Sequence, residues 1–179
     1  MTHSIKAHMS RNDYRTKATP QENFLNSMHE CRIISLNMNR QRKSLIQCVR
    51  NQLSRYHIIC LQEIGFSTEE EINGITFSLK KLSQYRSFWS PAEITQKGGR
   101  KGGIGIILHP DFYEQFDSVQ VNWKTISKHY LNISCSSSRG NVHIHGVYGP
   151  GTAQERIDLF SALPYQFPIE DVQLVITQF

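Results

Sequence analysis

The run His57-Ile-Ile-Cys-Leu-Gln-Glu63 constrains the fold more than any other stretch of the chain. Ile58, Ile59, Cys60 and Leu61 form an apolar block without polar alternation, the pattern of a strand buried on both faces. Such a strand needs a layer above it and a layer below. Upstream, Cys31-Arg-Ile-Ile-Ser-Leu-Asn-Met-Asn39 is a second β-type run that ends in two asparagines. Between the two, Arg40 to Arg55 spaces Leu45, Cys48, Val49 and Leu53 along one helical face, with Arg42, Lys43 and Arg50 elsewhere. Strand, helix and strand make a βαβ unit with parallel strands and a right-handed crossover, so the expected class is α/β.

Parallel strands deliver their ends to one edge. Asn37, Asn39 and Glu63 therefore leave the sheet together, at the carboxyl ends where open α/β sheets gather ligands. Two amides and a carboxylate form an oxygen-rich corner suited to a hard cation such as Mg²⁺. A solvated glutamate at a strand exit is the plainer account of Glu63, and on this stretch alone both readings stand.

Composition sets the outer bounds. The chain has 179 residues, enough for one domain with a real core, and carries a net charge of +5. A pI near 9.1 suits an anionic partner without demonstrating one. Four cysteines at positions 31, 48, 60 and 135 form no CxxC pair, which argues against zinc and against a disulfide framework. Buried reduced thiols point to an intracellular location, nuclear or cytoplasmic. No stretch approaches the length of a membrane span, and no secretory signal opens the chain. Residues 1–30 are polar, include Pro20 and show no periodicity; they are expected to be a disordered lead-in, with the domain occupying residues 31–179.

Beyond Glu63, Ser67-Thr-Glu-Glu-Glu71 reads as a loop or helix start with a solvated face. Ile75 to Lys80 and Tyr85 to Ser90 are read as strands. The segment Gln96-Lys-Gly-Gly-Arg-Lys-Gly-Gly103 is not a phosphate loop. It has no Gly-Lys-Ser/Thr and leads into an apolar strand, Ile104 to Leu108, rather than a helix. A hairpin end is the simple account, and Lys97, Arg100 and Lys101 on it can pair with phosphates nonspecifically. Phe116 to Trp123, Tyr130 to Cys135 and Val142 to Tyr148 complete the strand candidates, with a turn over residues 136–140. His143 and His145 share a face at a spacing that can hold zinc, but without a third ligand they read as a partly buried pair. Thr152 followed by Glu155 has the pattern of a capping box.

Two strand-end signatures in order, Ile34-Ser-Leu-Asn-Met-Asn39 and Ile59-Cys-Leu-Gln-Glu63, resemble the opening of the endonuclease/exonuclease/phosphatase superfamily. The flavour is that of non-LTR retrotransposon and apurinic/apyrimidinic endonuclease domains. Val147-Tyr-Gly-Pro-Gly-Thr152, with Arg156 and Phe160 after it, is similar to that family's tyrosine-proline turn and the helix that follows. The resemblance implies a four-layer α/β/β/α sandwich of the deoxyribonuclease-I-like type and Mg²⁺- or Mn²⁺-dependent hydrolysis of a nucleic-acid phosphodiester, DNA above all. It implies that Asn37 orders the metal site and the scissile phosphate, that Glu63 binds the metal and that Tyr148 donates to charge developing on the phosphate. Asn39, which stands where some relatives carry aspartate, and Arg156 would touch the nucleic acid. Gly151 departs from the asparagine that several relatives have.

The resemblance covers residues 31–176. In the family the last strand leads into Gly-Asp-Phe-Asn, whereas here the chain reads Thr177-Gln-Phe179 and stops. The expectation is therefore an incomplete, carboxyl-terminally truncated sandwich that lacks the group activating water, with hydrolase activity impaired or lost. Most of the second sheet would be absent. Ile106, Leu108 and Ile144 would then lie on an exposed apolar face, requiring a partner or self-association. A catalytically dead nucleic-acid-binding fragment and an inert product of a decayed, retroelement-derived gene are the alternatives. Phosphatases of the same fold leave the substrate class to analogy.

Overall fold

The computed structural model describes residues 3–5, 31–121, 128–163 and 171–178. Two β-sheets meet face to face, and the βαβ unit is where the first one starts. Strand β2 (Ile33–Asn37) pairs in parallel with β3 (Ile58–Gln62), with helix α1 (Arg42–Leu53) between them. An edge strand β1 (His3–Ile5) runs antiparallel to β2; the rest of the polar lead-in lies outside the described residues. On the far side β7 (Ile104–Leu108) pairs antiparallel with β3, and β4 (Arg86–Ser90) with β7, giving the order β1-β2-β3-β7-β4. Between β4 and β7, β5 (Glu93–Ile94) and β6 (Arg100–Lys101) form a separate two-stranded hairpin.

The second sheet has four strands, ordered β11-β10-β9-β8. Its centre is the antiparallel pair β9 (Tyr130–Ser137) and β10 (Gly140–Tyr148), flanked by β8 (Ser118–Val121) and by β11 (Val172–Gln178), which runs parallel to β10. Alternation along β9 and β10 turns Leu131, Ile133, Cys135, Val142 and Ile144 inward, where they pack on Ile58, Cys60, Ile104, Ile106 and Leu108 of the first sheet. A Cβ at Gly146 would lie 3.0 Å from Ile104 Cγ2 and 3.2 Å from Cys60 Sγ, so glycine there sets how closely the sheets approach.

Helices close both outer faces. Leu45, Val49 and Leu53 of α1, with Ile75 and Leu79 of α2 (Glu69–Ser83), bury the outer side of the first sheet against Ile34, Ile59, Leu61 and Ile107. Leu159 of α4 (Ala153–Ala162) packs on Tyr130 and Val147 of the second. The layer order is the α/β/β/α sandwich expected from the sequence. The apolar face expected to be bare is not: Ile106, Leu108 and Ile144 are all 0% exposed, because β8 to β11 already suffice to cover the first sheet. Those three residues, on which the expectation of a covering partner rests, are already covered within the chain.

Ile75 to Lys80 is not a strand but the middle of α2. The Thr68 hydroxyl accepts from the Glu71 amide while the Glu71 side chain accepts from the Thr68 amide, a complete capping box, and Gln84 ends the helix in a left-handed cap. The β-branched run at Ile75-Thr76 suggests extension, but tertiary packing of Ile72, Ile75, Leu79 and Leu82 on one face decides for helix. The expected strand from Phe116 to Trp123 shortens to Ser118–Val121, with Trp123 outside the described residues. Phe116 instead packs on Phe112 with ring centroids 5.2 Å apart and the rings tilted by 49°, just after α3 (Pro110–Tyr113), a single turn capped by the His109 ring.

The outward face of the second sheet carries a buried polar network. His143 bonds Ser134 Oγ at 2.7 Å and Asp171 Oδ2 at 2.9 Å, and His145 bonds the Tyr130 hydroxyl and Gln173 Oε1, each at 2.8 Å. The histidine pair thus joins β9, β10 and β11 by hydrogen bonds. Cys60 and Cys135 are buried between the sheets, and burial pushes both thiols up to about 12. Truncating the inter-sheet contact tests the packing directly: Ile106→Ala should lower the unfolding free energy by about 3 kcal/mol in urea denaturation.

Candidate active site at the strand ends

Register brings the first signature together. In the parallel pair β2–β3, Asn37 stands opposite Gln62, so Glu63 emerges one residue later on the same rim. The exit loops are tied to each other, Met38 N donating to Gln62 O and Arg40 N to Glu63 O, both at 2.8 Å. Asn37 Oδ1 accepts from the Asn39 amide at 2.8 Å, which turns its NH₂ group into the side it offers outward. Gln62 is fully buried and donates to Ser35 Oγ at 2.8 Å, fixing the last residue before the carboxylate.

The second signature arrives from the other sheet. Tyr148 ends β10, and its phenol donates a hydrogen bond to Glu63 Oε1 across 85 residues of sequence. Burial raises the phenol, the Glu63 hydrogen bond and charge raise it further, and Arg40 opposes them, leaving it at about 12. Tyr148 is therefore a protonated donor at neutral pH. The His129 ring stacks on Tyr148 with centroids 5.7 Å apart, and Tyr148 N donates to His129 O at 3.0 Å. Burial, and then the Lys128 charge, lower the His129 pKa and favour a neutral ring.

Backbone strain concentrates here. Asn39, Arg40 and Glu63 hold φ values of 43°, 59° and 51°, in the left-handed region that side chains with a Cβ rarely adopt. Arg40 and His129 were not singled out from the sequence. Neither carries a motif, and only the close approach of the β2 and β10 exits reveals them.

The basic residues divide. Lys97 is exposed at the tip of the β5–β6 hairpin. Arg100 and Lys101 are committed to carboxylates: Arg100 Nη1 lies 2.6 Å from Glu71 Oε1 and 2.8 Å from Gly65 O, and Lys101 pairs with Glu155. Arg156 donates to the carbonyls of Pro150 at 3.0 Å and Gly151 at 3.3 Å, holding the turn after Tyr148. Thr152 Oγ1 caps α4 by accepting from the Glu155 amide at 3.3 Å, but the Glu155 carboxylate turns to Lys101 and the Thr152 hydroxyl instead of closing the box. Glu69 and Glu70 are solvated, whereas Glu71 bridges Arg42 and Arg100. A cavity of about 430 Å³ at the start of α1 is lined by Arg40, Gln41, Arg42, Lys43 and Ser44.

Among the described residues no group of three or more His, Cys, Asp or Glu is placed to hold a metal. One carboxylate with neighbouring amides is too few ligands for a closed cage. It does match Mg²⁺, which keeps several waters and takes its remaining oxygens from substrate phosphates. Among the described residues no helix is long and apolar enough to cross a membrane.

No protein-family model and no curated protein matches the chain. Among solved structures it is similar to a 3'-5' exonuclease from Neisseria meningitidis, at 20% identity over 73% of this chain and 48% of that one, with a TM-score of 0.45. The endonuclease domain of TRAS1, a telomere-specific non-LTR retrotransposon, matches at 11% identity over 72% of this chain and 51% of that one, with a TM-score of 0.42. TDP2 from Caenorhabditis elegans matches at 14% over 72% and 39%, with a TM-score of 0.41. The chain spans about half the length of these structures or less. At such scores the likeness carries nothing about activity.

The carboxylate clamps give the site region an acid limit. Burial raises Glu71, but the Ser67 amide, the Arg100 side chain and the Thr68 amide outweigh it and hold the group at about 2. Lys101 and then Thr152 hold Glu155 at about 2 as well. Both folded-state values lie below the ordinary 4.5, so the stabilisation is complete above that pH and is lost as pH falls toward 2. The melting temperature should stay level from about pH 7 to 5 and drop below about pH 4.5, and Glu71→Gln should show a shallower drop over the same window.

Proposed function

We propose that this chain carries the metal-binding rim of a phosphodiester hydrolase acting on nucleic acid, and that it belongs to the endonuclease/exonuclease/phosphatase superfamily. The observation that carries the reading is the meeting of Tyr148 and Glu63 from opposite sheets, beside the Asn37 exit. Three chemically distinct groups converge: an acid able to ligate Mg²⁺ or Mn²⁺, an amide donor and a phenol that stays protonated. A divalent ion bound at Glu63 would neutralise a phosphate oxygen.

The chain's own part is to bind and orient the phosphodiester. Asn37 donates to a non-bridging oxygen, and Tyr148, on turning its one proton from Glu63 to the phosphate, supplies a second donor where negative charge builds up during in-line attack by water. Arg40 and Lys43 line the cavity at the start of α1 and attract the phosphate backbone; Asn39 precedes them in the chain, and Lys97 is exposed on the hairpin. Lys101 and Arg156, held by Glu155 and by the carbonyls of Pro150 and Gly151, would reach a strand of nucleic acid only by giving up those partners.

A second reading, binding without cleavage, is favoured by the sparse donor set, since among the described residues no group of three or more His, Cys, Asp or Glu accompanies Glu63. Nicking of supercoiled DNA separates the two. If the hydrolase reading holds, Mg²⁺ or Mn²⁺ drives nicking, Glu63→Ala abolishes it, and Tyr148→Phe slows it about 100-fold with the fold intact. A salt-sensitive gel shift with no metal-dependent nicking, unchanged by Glu63→Ala, leaves the binding reading in its place.

A further inference from the structure

We infer that Arg100 is a positioning residue for the metal-binding loop, and not a phosphate contact; the inference rests on the proposed role of Glu63 as metal ligand. The loop from Glu63 to Phe66 is held residue by residue. Glu63 O accepts from Arg40 N at 2.8 Å, Ile64 N donates to Gly103 O at 3.4 Å, and Phe66 O accepts from Ala92 N at 2.6 Å. The remaining residue, Gly65, has its carbonyl held by a side chain, Arg100 Nη1 at 2.8 Å. The loop has little room to relax on the other side, because a Cβ at Gly65 would sit 3.3 Å from Arg40 Cβ. A Cβ at Gly103 would sit 2.8 Å from Ile64 Cγ1.

Arg100 is itself fixed. The same nitrogen reaches Glu71 Oε1 at 2.6 Å and Oε2 at 2.8 Å, and that carboxylate is held by the Ser67 amide at 3.0 Å and by Arg42 at 2.5 Å. The Arg100 side chain is only 27% exposed. A guanidinium placed this way orients a ligand carboxylate through the backbone next to it, as outer partners of metal sites do. Glu63, at φ 51°, has a strained backbone that would relax away from the Tyr148 side if Gly65 were released.

Mn²⁺ binding followed by electron paramagnetic resonance tests this without turnover. The wild type should bind one Mn²⁺ that Glu63→Gln removes, Arg100→Met should weaken binding about 10-fold at an unchanged near-ultraviolet circular dichroism spectrum, and Arg100→Lys should recover most of the loss. In a DNA-binding titration, the slope of log affinity against log salt should be the same for Arg100→Met as for the wild type, where a lost phosphate contact would lower it by about 1. Should Arg100→Met not fold, Glu71→Gln carries the test: it removes the anchor of Arg100 but leaves an oxygen for the Ser67 amide, and should weaken Mn²⁺ binding several-fold. Unchanged Mn²⁺ affinity in the folded variant, or a slope lower by about 1, overturns the positioning role alone. Absence of Glu63-dependent Mn²⁺ binding in the wild type overturns the metal reading first, and the role of Arg100 with it.

Discussion

The contact between the inner faces of the two sheets governs everything at the rim. Glu63 and Tyr148 belong to different sheets, and nothing in their own neighbourhoods brings them together. What does so is the stack beneath them, where the missing side chain of Gly146 admits Cys60 and Ile104. Two residues further along β10 is Tyr148, and just beyond the end of β3 is Glu63. The interval from that contact to the rim is two residues on β10 and three on the β3 side, so the sheet spacing at Gly146 bears directly on how far the phenol stands from the carboxylate. Core density is usually argued for stability alone. Here the same density sets the geometry of a polar site.

Electrostatics follows a similar economy. A net charge of +5 suggests a diffusely basic surface, but much of the cationic charge around the hairpin is neutralised internally. Glu71 takes Arg42 and Arg100, Glu155 takes Lys101, and Glu93 takes Lys128. These pairs tie the β5–β6 hairpin to α2 on one side and to the start of α4 on the other. Exposed pairs of this kind add little to stability singly, but a network sharing one carboxylate restrains geometry. The start of α1 is compensated from outside the helix, by Glu71 at Arg42. That helix has no acidic residue in its first turn and no side-chain cap, whereas α2 and α4 each have a threonine cap and a glutamate three residues on. Placing Arg42 and Lys43 at the positive end of a helix dipole runs against local preference, and Glu71 offsets it at Arg42.

Much of this was legible in the sequence, and the misses have physical causes. The continuous apolar run Ile58 to Leu61 reports burial on both faces, which only a middle layer provides, so β3 and its partner β2 were readable from residue type alone. Glu63 and Asn37 followed, since parallel strands share a rim. Ile75-Thr76-Phe77 misled because β-branching speaks for extension over a few residues, while the deciding signals, the box at Thr68 and Glu71 and the spacing of Ile72, Ile75 and Leu79, extend over more than ten. The ion pairs of Arg100 and Lys101 could not be read from the sequence, because a cation advertises its charge and not its partner. The carboxylates that hold them lie 29 and 54 residues away, a separation no local pattern carries. The coverage of Ile106 and Ile144 was misjudged for a related reason: how many strands suffice to bury a face is a matter of area, and area belongs to the assembled sheets.

The left-handed residues at the rim bear on which side chains matter. Glycine would adopt these angles without steric cost, and the chain does use it a step away, at Gly65. Asn39, Arg40 and Glu63 keep their side chains at a cost on the order of 1 kcal/mol or more each, against a total stability of about 5–15 kcal/mol for a domain of this kind. Asn39 tolerates the conformation best, being short and polar. Arg40 and Glu63 do not, and both reach toward Tyr148, one through its charge and one through a hydrogen bond. A chain under selection for stability alone would place glycine at 63, as it does at 65. That an acid stands there, under strain and bonded to a phenol from the opposite sheet, is why the proposed function rests on that carboxylate.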